Sequence, residues 1–272
     1  MMEIPVFELS NGLKIPAIGL GTYPMNNEEA MEAISAARDI GYSLFDTSSS
    51  YGNEWGIGKA LKKSDFVTTK ISNLAQRENR VWLGLQKSRV KLRRRHIDLL
   101  LLHWPYPGKM KESWHMLESF YRRGVCRAIG VANFKIHHLE ELLKHAEIKP
   151  MVDQFERHPL YQERELTEFC KDNGIVPEAY TPFARMDARL FKNEKLLGIA
   201  NSKARKPTQI ILRWNYQHGV VSIPKTSSPK RMLENASIFD FELSQEEMSV
   251  IDSMECGGRV RYDPDDCDFD RL

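Results

Sequence analysis

Short apolar runs alternate with amphipathic stretches along almost the whole chain, and this alternation sets the fold class. Runs of strand length occupy residues 17–21, 42–47, 66–70, 97–103, 128–133, 151–155, 175–180 and 220–224. Segments with helical periodicity follow them at 27–40, 54–62, 78–93, 112–122, 137–146, 163–172, 207–218 and 229–237. The four leucines at 99–102 are continuous rather than alternating with polar residues, as expected of a parallel strand covered on both faces. Eight strand-helix units predict a closed (β/α)8 TIM barrel. The competing architecture, an open doubly wound sheet, is weakened after the first run. There Gly19 and Gly21 lack the third glycine of a dinucleotide fingerprint and Pro24 follows.

Three further segments complete the outline. Residues 6–15 are two short alternating runs around Asn11-Gly12, a strong hairpin signal, and read as a cap before the repeat. Residues 183–206 mix Arg185, Arg189 and Lys192 with a short apolar stretch at 196–200, and read as a loop plus an extra helix. The polar tail, 257–272, is expected to fold over a barrel end without forming a packed element. The expectation is a single domain over 1–272: a barrel with an N-terminal β-hairpin cap and extra C-terminal helices.

Length alone is neutral, since 272 residues suit either two ordinary domains or one barrel of about 250. A hydrophobic content of 42% and a net charge of +2 point away from nucleic acid and membrane surfaces. No apolar run approaches the roughly 18 residues of a membrane span, and the start, Met-Met-Glu-Ile-Pro, lacks the features of a leader. Cys126, Cys170, Cys256 and Cys267 are scattered without CxxC pairing, which suits reduced thiols and a cytoplasmic location. His137, Glu141 and His145 share a helix stripe, but an exposed helix face accounts for them and no metal is expected.

The candidate chemistry gathers at strand ends. Asp46 closes the second run and Tyr51 follows five residues later; Lys70 closes the third run and His103 the fourth. In a parallel barrel all four fall on one face. A phenol, with a pKa of about 10, is a poor acid near neutrality and needs a cation nearby. Lys70 would lower the Tyr51 pKa, Asp46 would hold the ammonium, and His103 would orient a carbonyl by hydrogen bonding. Separately, Ser228 is a good N-cap and Pro229 suits N1 of a helix flanked by Lys225 and Arg231. Such a helix start attracts anions, and a 2′-phosphate is a natural occupant, which favours NADPH over NADH.

Several motifs resemble those of the aldo-keto reductase family over essentially the full chain. They are Phe-Asp-Thr-Ser-Ser-Ser-Tyr-Gly-Asn-Glu at 45–54, Leu-Leu-His-Trp-Pro at 101–105, Ile-Gly-Val-Ala-Asn-Phe at 129–134 and Ile-Pro-Lys-Thr at 223–226, with Asn235 shortly after. The resemblance implies Tyr51 as proton donor, Asp46 and Lys70 as its supports and His103 as substrate-orienting. It implies NADPH lying across the strand ends. Glu234 and Asn235 would meet the adenine, Asn133 and Gln154 the carboxamide, and Tyr180 the nicotinamide ring, with Gly21, Thr22, Thr226 and Ser227 as further cofactor contacts. Tyr23 and Trp104 would touch a small carbonyl substrate.

The chain departs from that family pattern at three places. Ala132 replaces a usual serine, Ser72 stands where many members have tryptophan, and Phe183-Ala-Arg185 replaces a small Gly/Ser-rich turn. The short loops resemble those of compact microbial members such as diketogluconate and aldehyde reductases, and a monomer is the default. The expected activity is NADPH-dependent reduction of an aldehyde or ketone. Two alternatives are a non-enzymatic NADP(H)-binding barrel and a barrel enzyme acting on sugar phosphates, in which Lys225 and Arg231 would hold the substrate's phosphate.

Overall fold

A computed structural model describes residues 3–272. The predicted hairpin is present: β1 (Val6–Glu8) pairs antiparallel with β2 (Lys14–Pro16). Eight parallel strands follow in sequential order: β3 (Leu20–Gly21), β4 (Leu44–Asp46), β5 (Phe66–Ile71), β6 (Ile97–Leu102), β7 (Cys126–Ala132), β8 (Val152–Glu156), β9 (Val176–Tyr180) and β10 (Val221–Ser222). Parallel bridges from Ile18 to Ser222 and from Gly21 to Lys225 join the first strand to the last and close the barrel. Gly21 is required at that seam, because a Cβ there would lie 2.6 Å from the Ile223 carbonyl oxygen.

The leucine run of β6 shows how the sheet is covered twice. Leu99 and Leu101 face the barrel interior, where they pack with Leu44, Phe66, Val152 and Val221, while Leu100 and Leu102 join the core beneath the helices. Leu9 and Ile15 of the hairpin pack into the interior cluster. Asn11 donates to the Arg127 carbonyl at 2.9 Å, so the hairpin seals the amino-terminal end of the strands.

The helices that follow the eight strands are α1 (Asn27–Ile40), α2 (Glu54–Ala60), the pair α3 (Asn73–Arg77) and α4 (Val81–Lys91), then α5 (Met110–Arg122) and α6 (Ile136–Leu143). After these come α7 (Arg164–Asp172), α8 (Ala188–Phe191), α9 (Glu194–Ser202), α10 (Pro207–Gln217), α11 (Pro229–Ala236) and α12 (Gln245–Asp252). Two expectations need correction. The helix expected over 78–93 is α4, which starts only at Val81, and it is preceded by an unexpected short helix, α3, with Asn79 between them in the left-handed region at φ 54°. Ser72 starts α3 by accepting the Ala75 N–H at 3.2 Å. The single extra helix expected in 183–206 is α8 and α9, capped by Asp187 and Asn193, behind a 3-10 turn at Ala184–Met186.

The tail contains neither helix nor strand and crosses the carboxyl-terminal end of the barrel. Gly258 donates to the Leu160 carbonyl at 2.8 Å, Lys135 bridges Asp263 and Asp265 at 2.7 Å each, and Asn73 donates to the Phe269 carbonyl at 3.0 Å. These anchors lie in loops after β5, β7 and β8, so the tail borders the face where the candidate residues gather.

Candidate active site

Asp46 ends β4 opposite Thr68 of β5, and Lys70, two residues further along β5, lies on the same side of the strand as Thr68. The Lys70 ammonium donates to both Asp46 carboxylate oxygens at 2.7 Å and to the Thr47 carbonyl at 3.0 Å. It also reaches the Tyr51 hydroxyl at 3.5 Å and lies 5.2 Å from that ring's centroid. The Lys70 side chain is 1% exposed, so its charge depends on Asp46 for compensation. Burial alone would depress the Lys70 pKa, but Asp46 and then Tyr51 raise it above the ordinary value, and the ammonium persists.

The phenol departs from expectation. Its pKa is raised, not lowered, because burial disfavours phenolate more than Lys70 favours it, and Asp46 adds to the rise. Burial outweighs the ammonium's pull, so Tyr51 is held protonated.

His103 immediately follows β6, with its ring 5.8 Å from that of Tyr51. Burial, followed by the charges of Lys70 and Arg261, depresses its pKa to about 3, so the imidazole is neutral. Ser48 Oγ lies 3.2 Å from His103 Nδ1 and also accepts the Ser50 N–H at 3.2 Å. When Ser48 donates its hydroxyl hydrogen to Nδ1, the neutral ring presents Nε2–H as a donor.

A second layer of side chains extends from this group. Asn133, at φ 63°, donates to the His103 carbonyl at 2.9 Å and accepts from the Tyr180 hydroxyl at 2.6 Å. Gln154 is 2% exposed, and its amide nitrogen donates to Asp46 at 2.9 Å and to Glu178 at 3.1 Å. Thr22 is fully buried and its hydroxyl donates to the Asp46 carbonyl at 2.8 Å, holding the ends of β3 and β4 together. Tyr23 is half exposed beside Tyr51, ring centroids 5.0 Å apart. Trp104 is 5% exposed, with Phe269 of the tail 6.4 Å away edge to face.

The basic helix start forms as predicted. Ser228 caps α11 with Pro229 in its first turn, and Ser228 N–H donates to Thr226 Oγ1 at 3.1 Å. Lys225, Ser227 and Arg231 are exposed, and neither cation has an ion-pair partner among the described residues. Glu234 is half-buried and Asn235 buried on the same helix. Thr181, Ala184, Arg185 and Met186 all take positive φ, giving a left-handed stretch without glycine after β9.

The histidine stripe does not converge. His145 pairs with Glu141 at 3.4 Å, whereas His137 turns to Asp265 at 3.2 Å. His137, His138 and Asp265 present ligand atoms within 4.8 Å of one another, but Lys135 already bridges Asp265, and its N–H donates to His138 Nδ1 at 3.2 Å.

Two buried carboxylates went unnoticed in the sequence. Glu178 lies inside the barrel on β9, its pKa raised to about 7 by burial and then by Asp46. Glu156, at the end of β8, accepts the main-chain N–H groups of Val260 at 2.7 Å and Arg261 at 2.9 Å. The available signal was an acid inside a strand that otherwise reads as buried.

Residues 17–255 match the model of the family described as aldo/keto reductase. The chain belongs to the aldo/keto reductase family. It is 45% identical to glyoxal reductase of Bacillus subtilis (strain 168) over 269 residues, 96% of this chain and 97% of that protein. It is 37% identical to methylglyoxal reductase DkgA of Escherichia coli O157:H7, covering 97% of this chain and 98% of that one. Among solved structures, a Gox0644 mutant in complex with NADPH is 34% identical and superposes with a TM-score of 0.94, covering 98% of this chain and 99% of that one. Like other aldo/keto reductases, this chain is an NADP-dependent oxidoreductase acting on carbonyl groups. Both the non-enzymatic reading and the sugar-phosphate reading are thereby set aside. No helix among the described residues is long and apolar enough to cross a membrane.

Proposed function

We propose that the whole chain works as one domain that reduces small aldehydes and ketones with NADPH, with Tyr51 giving the proton. The observation that carries this reading is the 3.5 Å approach of Lys70 to the Tyr51 hydroxyl while both Asp46 oxygens hold the same ammonium. When bound, NADPH supplies the hydride. The raised pKa keeps Tyr51 protonated until charge develops on a substrate oxygen. Lys70 then stabilises the phenolate as it forms, and Asp46 keeps the lysine in position. Neutral His103 donates Nε2–H to the same substrate oxygen and fixes its approach.

The residues present suit the cofactor. Lys225 and Arg231, exposed and without carboxylate partners at the capped start of α11, would hold the 2′-phosphate. Glu234 and Asn235 would meet the adenine, and Asn133, Gln154 and Tyr180 the nicotinamide end. Gly21, Thr22, Thr226 and Ser227 would complete the contacts. Backbone strain collects at ligand clamps, and the left-handed residues Thr181 and Ala184 to Met186 suit a clasp for the pyrophosphate. Tyr23 and Trp104 would wall the substrate space.

The likeness to glyoxal and methylglyoxal reductases directs the substrate toward small 2-oxoaldehydes. The protein acts as a monomer in the cytoplasm, where its four free cysteines stay reduced. The test is consumption of NADPH on adding glyoxal or methylglyoxal. Absence of turnover with either, and with a panel of simple aldehydes, would remove this reading.

A further inference from the structure

The tail that borders the mouth carries three arginines, and they differ in their partners. Arg259 is paired with Glu163 at 3.4 Å and Asp263 at 3.8 Å, and Arg271 with Asp268 at 3.0 Å. Arg261 has no carboxylate partner among the described residues, although five aspartates follow it in the tail. Its guanidinium lies over two phenol rings instead, 5.6 Å from the centroid of Tyr23 and 5.6 Å from that of Tyr262. Tyr23 in turn lies 5.0 Å from Tyr51, which places the guanidinium one ring away from the reacting group.

The position is fixed from below. Glu156, itself 2% exposed, accepts the Arg261 main-chain N–H at 2.9 Å and that of Val260 at 2.7 Å. A buried carboxylate thus anchors the backbone, while the aromatic faces restrain the planar guanidinium.

The charge balance at the mouth makes this arginine distinctive. Lys70 is offset by Asp46 and His103 is neutral. Arg261 is therefore a cation beside Tyr23 with no carboxylate opposite it among the described residues, and its field reaches Tyr51, His103 and Tyr180. A guanidinium left unpaired, preorganised and half-buried beside an apolar wall is suited to a bidentate pairing with a carboxylate.

We infer that Arg261 is a specificity-determining residue that, among the aldehydes the site reduces, favours those bearing a carboxylate over uncharged ones of the same outline. This deepens the reductase reading and rests on it. The test compares 4-carboxybenzaldehyde with 4-nitrobenzaldehyde, which match in outline and differ in charge, using NADPH with the wild type, Arg261→Gln and Arg261→Lys. In Arg261→Gln, the ratio of kcat/KM for the carboxylate over the nitro compound should fall about tenfold or more, through KM. Arg261→Lys should restore part of that ratio.

An unchanged ratio in Arg261→Gln would overturn the inference. So would equal losses on both aldehydes accompanied by weaker NADPH binding in a fluorescence titration, since the guanidinium would then serve the cofactor's pyrophosphate. A wild type that reduces glyoxal but neither benzaldehyde would likewise overturn the inference, whereas failure with glyoxal, methylglyoxal and both benzaldehydes would remove the reductase reading beneath it.

Discussion

The Tyr51 hydroxyl sits 3.5 Å from the Lys70 ammonium, yet its proton is held more tightly than in a free phenol. On the proposed mechanism, proton delivery is tied to charge arriving on the substrate. Tyr51→Phe should retain NADPH binding while kcat falls about a hundredfold or more. Fluorescence titration and turnover measured on the same preparation check this, and unchanged turnover would take Tyr51 out of the mechanism.

Arg231 and Lys225 lie exposed at the start of α11, without an ion-pair partner among the described residues. Replacing Arg231 with methionine should weaken NADPH by about tenfold to a hundredfold, the value of a charge-assisted hydrogen bond, and NADH far less. Parallel Kd measurements decide. Equal weakening of both cofactors would mean that this cluster does not read the 2′-phosphate.

His103 has its pKa depressed to about 3 in the folded protein, against 6.5 for the free side chain. The unfolded chain therefore takes up this proton first. Stability from the neutral ring is present above 6.5 and is lost as pH falls toward about 3. An NMR titration of the imidazole nitrogens should show no protonation down to about pH 5. A midpoint near about 6.5 would contradict the buried, neutral ring.

Glu178 behaves with the opposite sign. Its folded pKa is raised from 4.5 to about 7, so its contribution to stability is complete below 4.5 and disappears as pH rises through about 7. Glu178→Gln should therefore flatten the fall in Tm between pH 5 and pH 8, roughly the span over which the carboxyl ionises. A wild-type and a variant that lose the same number of degrees over that interval would show that Glu178 is already charged at the lower pH.

Repetition made most of the fold readable. Most strands read as short apolar runs and most helices as amphipathic stretches, so eight units could be counted without knowing a contact. The breaks were less visible. Asn79 ends α3 through a local left-handed turn that hydropathy does not register, and Asp187 and Asn193 divide one weakly patterned region by capping. Of the site, the spacing of Asp46, Tyr51, Lys70 and His103 at strand ends was legible because a parallel barrel puts all such ends together. The direction of the Tyr51 shift was not, since burial and the Asp46 carboxylate act through three-dimensional distance. Glu156, Glu178 and Arg261 escaped for a related reason: each matters only through a partner from a distant segment.

The path taken by residues 257–272 has an evolutionary consequence. The fastenings of this strap, from Asn73, Lys135, Glu156 and Leu160, are separate from the Asp46, Tyr51 and Lys70 cluster. On the proposed reading, exchanging the outward-facing residues of the strap retunes which molecules are admitted while the Asp46, Tyr51 and Lys70 cluster stays intact. Descendants of such a chain could change clientele without having to reinvent their chemistry.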